Sequence, residues 1–362
     1  MKKRLFAGTA AVIMAAVLFL TIPVHGISAQ KAILLDGATG RVLYEKDADS
    51  QSLIASTTKI MTALVVCEQC NVLDRMRIPK EAVGIEGSSM YLREGEILTI
   101  QELLYGMMLH SGNDAAVALA IYCGGTVEGF AEMMNDKARV LGMRGSHFVN
   151  PNGLDAPGHY STARDLATLA AYAMDNPIFY KTVSAKTVTV GQRYLTNHNK
   201  LLWQFEGADG VKTGYTRAAG RILVSSATRC GRRLIAVTIH DPNDWADHKE
   251  LLNRGFSEFE VRKIVSAGDI LGYVEIAGGE QGMAPLMAVT DFEYPLTVHE
   301  EVAIRIPGAG FVYAPVTAGG QAGKAHILVD GTEMGTVDLI YGKTVEQMKE
   351  KKTRLEKLFG SE

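Results

Sequence analysis

Cysteine is scarce, at four residues in 362, which excludes a disulfide framework as the basis of the fold. Cys67 and Cys70 form a Cys-x-x-Cys, but no second Cys or His pair at ligand spacing accompanies it. The pair is therefore expected to be core thiols or at most one local disulfide, not half of a zinc site. Charge is modest too: 21% charged residues and a formal net charge of −3 leave no basic surface, and no nucleic-acid partner is expected. There is no Gly-x-Ser-x-Gly elbow, His299-Glu300-Glu301 lacks the second His of a zinc protease, and Gly342-Lys343-Thr344 has Val337 where a phosphate loop needs glycine. No metal, nucleotide or other cofactor is implied. Beyond the N-terminus no apolar run is long enough to span a membrane, and no internal repeat or low-complexity tract is present.

What is there reads as an exported two-domain chain. The length exceeds what one hydrophobic core usually supports. Lys2, Lys3 and Arg4 precede an uncharged apolar stretch from Leu5 to Val24, the layout of a secretory signal, assigned to residues 1–29 with Gly26 and Ala29 as cleavage points and an uncleaved anchor as the alternative. Residues 30–257 mix helix and strand signals. Two strands at Ala32–Asp36 and Gly40–Tyr44 open this part, and helical periodicity follows over Ser56–Val66, Gln101–Ala120, Glu128–Leu141 and Thr162–Met174. Strands return at Arg221–Ala227 and Arg233–Ile239, so the sheet draws on both ends of the segment with helices between. Residues 258–342 are short β segments broken by Gly and Pro, an all-β domain. Residues 343–362 place Val345, Met348, Leu355, Leu358 and Phe359 roughly on one helical face. A short amphipathic helix is expected there, docked on its own domain or resting on a membrane surface.

Three short constellations carry chemistry: Ser56-Thr57-Thr58-Lys59, Ser111-Gly112-Asn113 and Lys212-Thr213-Gly214. Each alone is weak, because a Ser-x-x-Lys arises by accident about once in a chain of this length. Three residues apart at a helix start, Ser56 and Lys59 share a face, and a lysine whose pKa is lowered by burial or by a second cation can take the serine proton. Lys212 is a candidate for that second cation. Ser111 and Asn113 suit a proton shuttle and a clamp on a substrate amide, although Ser, Gly, Asn and Asp in series also begin a helix. At Gly214 the missing side chain would let a bound peptide align along the strand. Other Lys-Thr pairs, at Lys181, Lys186 and Lys343, lack that glycine.

With these motifs stand Ile54-Ala55-Ser56-Thr57-Thr58-Lys59-Ile60-Met61-Thr62, Gly87-Ser88-Ser89-Met90, Asn150-Pro151-Asn152-Gly153-Leu154-Asp155, His159 to Leu166, and Asp209-Gly210-Val211-Lys212-Thr213-Gly214-Tyr215-Thr216. In these the chain resembles the low-molecular-mass penicillin-binding proteins, serine-type D-alanyl-D-alanine carboxypeptidases, over nearly its whole mature length. The resemblance implies an α+β fold: a serine β-lactamase and D,D-peptidase-like catalytic domain, an antiparallel sheet with helices on both faces, then a small all-β domain and a short C-terminal helix. It implies Ser56 as nucleophile, Lys59 as base, Ser111 and Asn113 assisting, and Lys212, Thr213, Gly214, Tyr215 and Thr216 binding substrate. The N–H groups of Ser56 and Tyr215 would form the oxyanion hole. The implied partners are the D-Ala-D-Ala end of a peptidoglycan stem peptide, β-lactam inhibitors, and a membrane touched peripherally through the C-terminal helix. Some members carry a basic residue after the last catalytic-domain strand to hold the terminal carboxylate; here Asp241-Pro242-Asn243-Asp244-Trp245 stands there, leaving Thr213, Thr216 and Arg217 as candidates. That segment is similar to the one in members from spore-forming bacteria, which points to a sporulation-linked role. The alternatives are a β-lactamase-like hydrolase, disfavoured because Asn150–Asp155 stands where a Glu-x-x-Leu-Asn is expected, and a non-catalytic cell-wall scaffold.

Overall fold

A computed structural model describes residues 26–308 and 310–349. The expected signal, up to Val24, lies outside the described residues. The first part of the chain folds as β1 (Lys31–Asp36), β2 (Val42–Lys46), α1 (Lys59–Gln69), β3 (Arg75–Arg77), β4 (Ile97–Thr99), α2 (Ile100–Leu109), α3 (Asn113–Gly124), α4 (Val127–Val140), α5 (Ala163–Met174), α6 (Pro177–Ser184), β5 (Thr187–Val190), β6 (Arg193–Thr196), α7 (Leu201–Gln204), β7 (Ala208–Thr216), β8 (Gly220–Arg229), β9 (Arg232–Ile239) and α8 (Asp244–Glu258). Five of the strands build one antiparallel sheet in the order β2-β1-β9-β8-β7, which leaves β7 as a free edge.

Both faces of that sheet are covered, and the strand sequences show why they read as unbroken apolar runs. In β1, Ile33 and Leu35 join the large core with α1, α2, α3 and α5, whereas Ala32 and Leu34 join a smaller core with Leu251 and Leu252 of α8. The period of two is intact, but neither face meets water. Helix α1 is buried from Lys59 to Cys67, as expected of a helix that is apolar almost all round.

The expected Gln101–Ala120 helix is two helices, α2 and α3, parted at Ser111, whose φ is +62°. Helix α2 starts on a Thr99 and Glu102 capping box. The expected helix from Ser56 begins as a 3-10 turn, Ala55–Thr58, and becomes α-helical only at Lys59. Residues assigned to the signal also belong partly to the fold: Ile27 and Ala29 are buried, and the Ser28 and Ala29 N–H groups donate to Asp247 at 2.6 and 3.1 Å. Cleavage at Ala29 would remove these bonds, whereas Gly26 is exposed and stands before them.

The second part holds β10 (Glu260–Val265), β11 (Ile270–Ala277), β12 (Met283–Ala288), β13 (Phe292–Leu296), β14 (Val302–Arg305), β15 (Phe311–Tyr313), β16 (Gln321–Val329) and β17 (Thr332–Tyr341). They form a six-stranded sheet, β14-β16-β17-β12-β11-β15, and a β10-β13 pair. Arg41, from the β1–β2 turn, bonds the Pro295 carbonyl and the Glu300 carboxylate and lies 5.3 and 5.0 Å from the Phe259 and Tyr294 rings. The helix expected from Lys343 does not begin there: Val345 is buried and bridges Val316, and Gln347 bridges Gly279, so residues 343–349 run extended as a flap on the β domain. Burial of Val345 against Ile276 and Val316 replaces the helical face read from the sequence. Leu355, Leu358 and Phe359 lie outside the described residues. Among the described residues no helix is long and apolar enough to cross a membrane.

Candidate active site

Ser56 sits in the 3-10 turn that feeds α1, after Ala55 at φ +45°. This turn presents the hydroxyl at the mouth of a cleft of about 670 Å³ between the helical part and the free edge of β7. The cleft is lined by Ser88, Ser111, Thr213, Gly214 and Tyr215 among others.

Lys59 is fully buried beneath Ser56. Its Nζ lies 2.9 Å from Ser56 Oγ, 2.7 Å from Asn113 Oδ1 and 2.5 Å from the Asn152 carbonyl oxygen. Burial first, and the charge of Lys212 second, hold its pKa well below the ordinary lysine value, against an opposing pull from Asp114. An amine that gives up its proton this readily is a base within reach of the serine hydroxyl.

Lys212, also buried, donates to Ser111 Oγ at 3.1 Å and to the Thr213 carbonyl at 3.0 Å. Burial lowers its pKa to about 7. The three motifs, from distant stretches of chain, thus meet at one cleft as two hydrogen-bonded sets: Ser56, Lys59 and Asn113 on one side, Ser111 and Lys212 on the other.

The helix-start reading of Ser111-Gly112-Asn113 holds for the backbone alone. Gly112 is the N-cap of α3 and offers no side-chain cap bond, while the Asn113 amide is already engaged, Oδ1 by Lys59 and Nδ2 by donating to the Glu86 carbonyl at 2.6 Å. Asn113 therefore first holds the Lys59 amine in place, with its second amide N–H left over.

Gly214 also packs close to the turn that bears Ser56. A Cβ there would stand 3.2 Å from the Ile54 carbonyl oxygen and 3.3 Å from the Thr57 nitrogen, so glycine eases the approach of β7 to the Ala55–Thr58 turn. Thr216 does not line the cleft; its hydroxyl accepts the Ala219 N–H at 3.0 Å in the β7–β8 turn.

Three contributors escaped the sequence reading. The Asn152 carbonyl reaches Lys59 because Gly153, at φ +85°, packs against the Ala55 carbonyl, and Thr62 ties down the preceding Pro151 carbonyl at 2.7 Å. Asp114, buried, accepts from the Met90 and Leu92 N–H groups and from Ser89, fixing the Gly87–Leu92 rim of the cleft. Arg221 opens β8 directly opposite Tyr215 and lines the cleft, its guanidinium held by Asp244 at 2.8 to 3.1 Å. The signal for Arg221 was its place at the start of a strand antiparallel to Lys212-Thr213-Gly214, a register the sequence does not print.

A family model described as D-alanyl-D-alanine carboxypeptidase matches residues 20–243, and one described as penicillin-binding protein 5, C-terminal domain, matches residues 259–347. The D-alanyl-D-alanine carboxypeptidase DacF of Bacillus subtilis is 32% identical over 323 residues, covering 84% of this chain and 82% of the relative. The crystal structure of penicillin binding protein 5 from Haemophilus influenzae superposes with a TM-score of 0.77 at 31% identity, covering 89% of this chain and 99% of that one. A mutant of the Streptomyces K15 DD-transpeptidase covers 64% of this chain and 99% of its own, with a TM-score of 0.63 at 35% identity.

Proposed function

Since the chain belongs to the D-alanyl-D-alanine carboxypeptidase family and is a serine peptidase of that class, we propose that Ser56 carries the acyl group while terminal D-alanine is removed from cell-wall stem pentapeptides. The observation that carries this assignment is the 2.9 Å contact between Ser56 Oγ and a buried lysine amine biased toward its neutral form. Neutral Lys59 accepts the Ser56 proton as the oxygen attacks the penultimate D-alanyl carbonyl. The Ser56 and Tyr215 N–H groups receive the oxyanion. Ser111, bridged to Lys212, relays a proton to the departing amine, and water then releases the acyl group through the same base.

The substrate lies along the free edge of β7 as an added strand. Its terminal carboxylate meets the Thr213 hydroxyl, Lys212 and the exposed edge of the Arg221 guanidinium, which Asp244 orients. Arg221 thereby serves where some family members carry a basic residue after the last strand. Among the described residues Asp244 is the one carboxylate lining the cleft, and it is engaged by Arg221. With no second carboxylate among the described residues lining the cleft to activate water, penicillin is released slowly and inhibits. Export through the segment up to Val24 and a peripheral membrane contact through the C-terminal tail complete this reading; recovery of the protein from the cytoplasmic fraction would remove both.

Incubation with a pentapeptide ending in D-Ala-D-Ala tests the assignment. The wild type should release free D-alanine and carry one penicilloyl group by intact mass, and Ser56→Ala should do neither. In Arg221→Gln, kcat/KM should fall about tenfold or more for the free acid, but little for the C-terminal amide. Undiminished D-alanine release by Ser56→Ala would refute the assignment, and an unchanged acid-to-amide ratio would refute the role of Arg221.

A further inference from the structure

Away from the catalytic cleft, three of the four cysteines gather where α1 and α3 end. Cys67 lies in the last turn of α1, Cys70 is the residue that caps it, and Cys123 lies in the last turn of α3. The two helices pack against each other, and Cys70 and Cys123 rest on the same core. Cys70 has already left the helix: its backbone is extended, at φ −119° and ψ 145°, while its N–H still donates to the Val66 carbonyl at 3.0 Å. Beside Cys123, the Tyr122 hydroxyl donates to Asp74 at 3.1 Å, so the chain just after Cys70 is pinned to the end of α3. The Cys70 and Cys123 thiols stand within hydrogen-bonding reach of each other, and both are half-buried, whereas Cys67 is 8% exposed.

The three thiols differ in what they can do. The Cys123 thiol holds the Cys70 pKa below the ordinary cysteine value, against burial and the charge of Asp74. Cys123 is raised, by Cys70 first and by burial second. Cys67 is pushed up to about 12, by burial first and by Cys70 second. Cys70 thus offers a thiolate that a reagent can reach, and Cys123 stands beside it to resolve a mixed disulfide. Cys67 has neither a ready thiolate nor access.

We propose that Cys70 and Cys123 are a redox-sensitive modification site, closed to a disulfide by exchange with an external disulfide once the chain has left the cytoplasm. The Cys70 thiolate attacks one sulfur of that disulfide, whose S–S bond breaks and releases a first thiol. Cys123 gives up its proton and displaces the second thiol from Cys70, forming the bond between the helices. Two cysteines are oxidised by two electrons and the external disulfide is reduced to two thiols. The bond ties the far ends of helices whose near ends are already joined, because Lys59 opens α1, Asn113 opens α3, and the two side chains meet at 2.7 Å. Neither cysteine lines the cleft, so the site acts on the framework that holds the base and leaves the substrate's path open. The inference is independent of the Ser56 reading; it takes from the proposed function only the exported location, where disulfides persist.

The test uses the full-length chain carrying Cys230→Ser, which removes the exposed thiol between β8 and β9, and incubates it with oxidised or reduced glutathione. Non-reducing peptide mapping after oxidation should find Cys70 linked to Cys123, with Cys67 open to alkylation once the protein is unfolded. The oxidised form should melt about 5 °C or more above the reduced form, because the bond closes a long loop. Cys70→Ser and Cys123→Ser should each abolish that shift, and Cys67→Ala should keep it. A link between Cys67 and Cys70, or free thiols at both Cys70 and Cys123 after oxidation, overturns the pairing. A Cys70–Cys123 link with no rise in melting temperature overturns its role as a tie between the helices.

Discussion

Two ammonium groups buried side by side cannot both stay charged cheaply, and in this cleft their neighbours decide which gives way. Lys59 has two oxygen acceptors from the protein besides Ser56, yet burial and the Lys212 charge drive it toward the neutral amine. Lys212 keeps its proton up to about pH 7, and a bound carboxylate would hold it higher. Acylation should accordingly rise with pH as Lys59 loses its proton and fall above about pH 7 as Lys212 loses its own. An arginine does not deprotonate in this range, so Lys212→Arg should lose the alkaline fall, with a peak rate lower by roughly ten- to a hundredfold from the changed shape. Stopped-flow acylation by a chromogenic β-lactam across pH 5 to 10 reads both limbs, and an alkaline fall that persists in the variant would place its titration elsewhere. Much of this was legible: Ser-x-x-Lys states its own geometry because helical spacing fixes it. The third partner of Lys59 was not, because a backbone carbonyl such as that of Asn152 has no residue type to announce it.

Among elements, the loop that delivers this carbonyl is as constrained as the helix it serves. Gly153 stands at φ +85° where a Cβ would lie 1.9 Å from the Ala55 carbonyl oxygen and 2.8 Å from Thr58 Oγ1. Gly191, in the β5–β6 turn at φ +58°, has open space around it. Gly191→Ala should cost about 1 kcal/mol, the strain of the backbone alone. Gly153→Ala should cost about 3 kcal/mol and slow acylation as well, because the turn bearing Ser56 and the loop bearing Asn152 must move apart. Urea unfolding and penicillin acylation on both variants check this; equal losses in the two would mean that close packing at Gly153 contributes nothing. The sequence pattern located α4 and α5 well, since each has one wet face and a side-chain N-cap, Thr126 or Thr162. It merged α2 and α3 because both are apolar on either side of Ser111, and one residue at positive φ leaves periodicity nearly unbroken. It misread residues 343–349 for the opposite reason: the spacing of Val345 and Met348 fits a helix, and only the β domain's need to cover Ile276 makes the segment extended.

At the scale of the whole molecule, the change of texture near residue 258 was visible because the β domain divides its apolar residues among several small clusters, and short alternating strands suffice for that. The catalytic domain instead holds one large core and buries histidines in the neutral form. His248 of α8 sits between Ser225 of β8 and Thr238 of β9, at 2.6 and 2.9 Å, and burial lowers its pKa to about 3. His159, against Thr58 at 2.8 Å, is lowered to about 4, by burial first and by His147 second. Both folded values lie below the unfolded value near 6.5, so the unfolded chain binds more protons, and stability falls as pH drops through 6.5 toward these values. Each histidine then costs up to about 1.4 kcal/mol per pH unit, or about 3 kcal/mol for the pair between pH 6.5 and 5, before most carboxylates titrate. Both tryptophans, Trp203 and Trp245, belong to the catalytic domain, so their fluorescence follows its unfolding apart from that of the β domain. Urea midpoints at pH 7 and pH 5 should therefore differ strongly in the wild type. His248→Gln should be less stable at pH 7 for want of a well-fitted partner to Ser225 and Thr238, yet should lose about a third of the acid dependence, since His159 and His198, each lowered to about 4, keep theirs. An undiminished acid dependence in that variant would show that the helix-to-sheet junction at His248 does not set the acid limit of the fold.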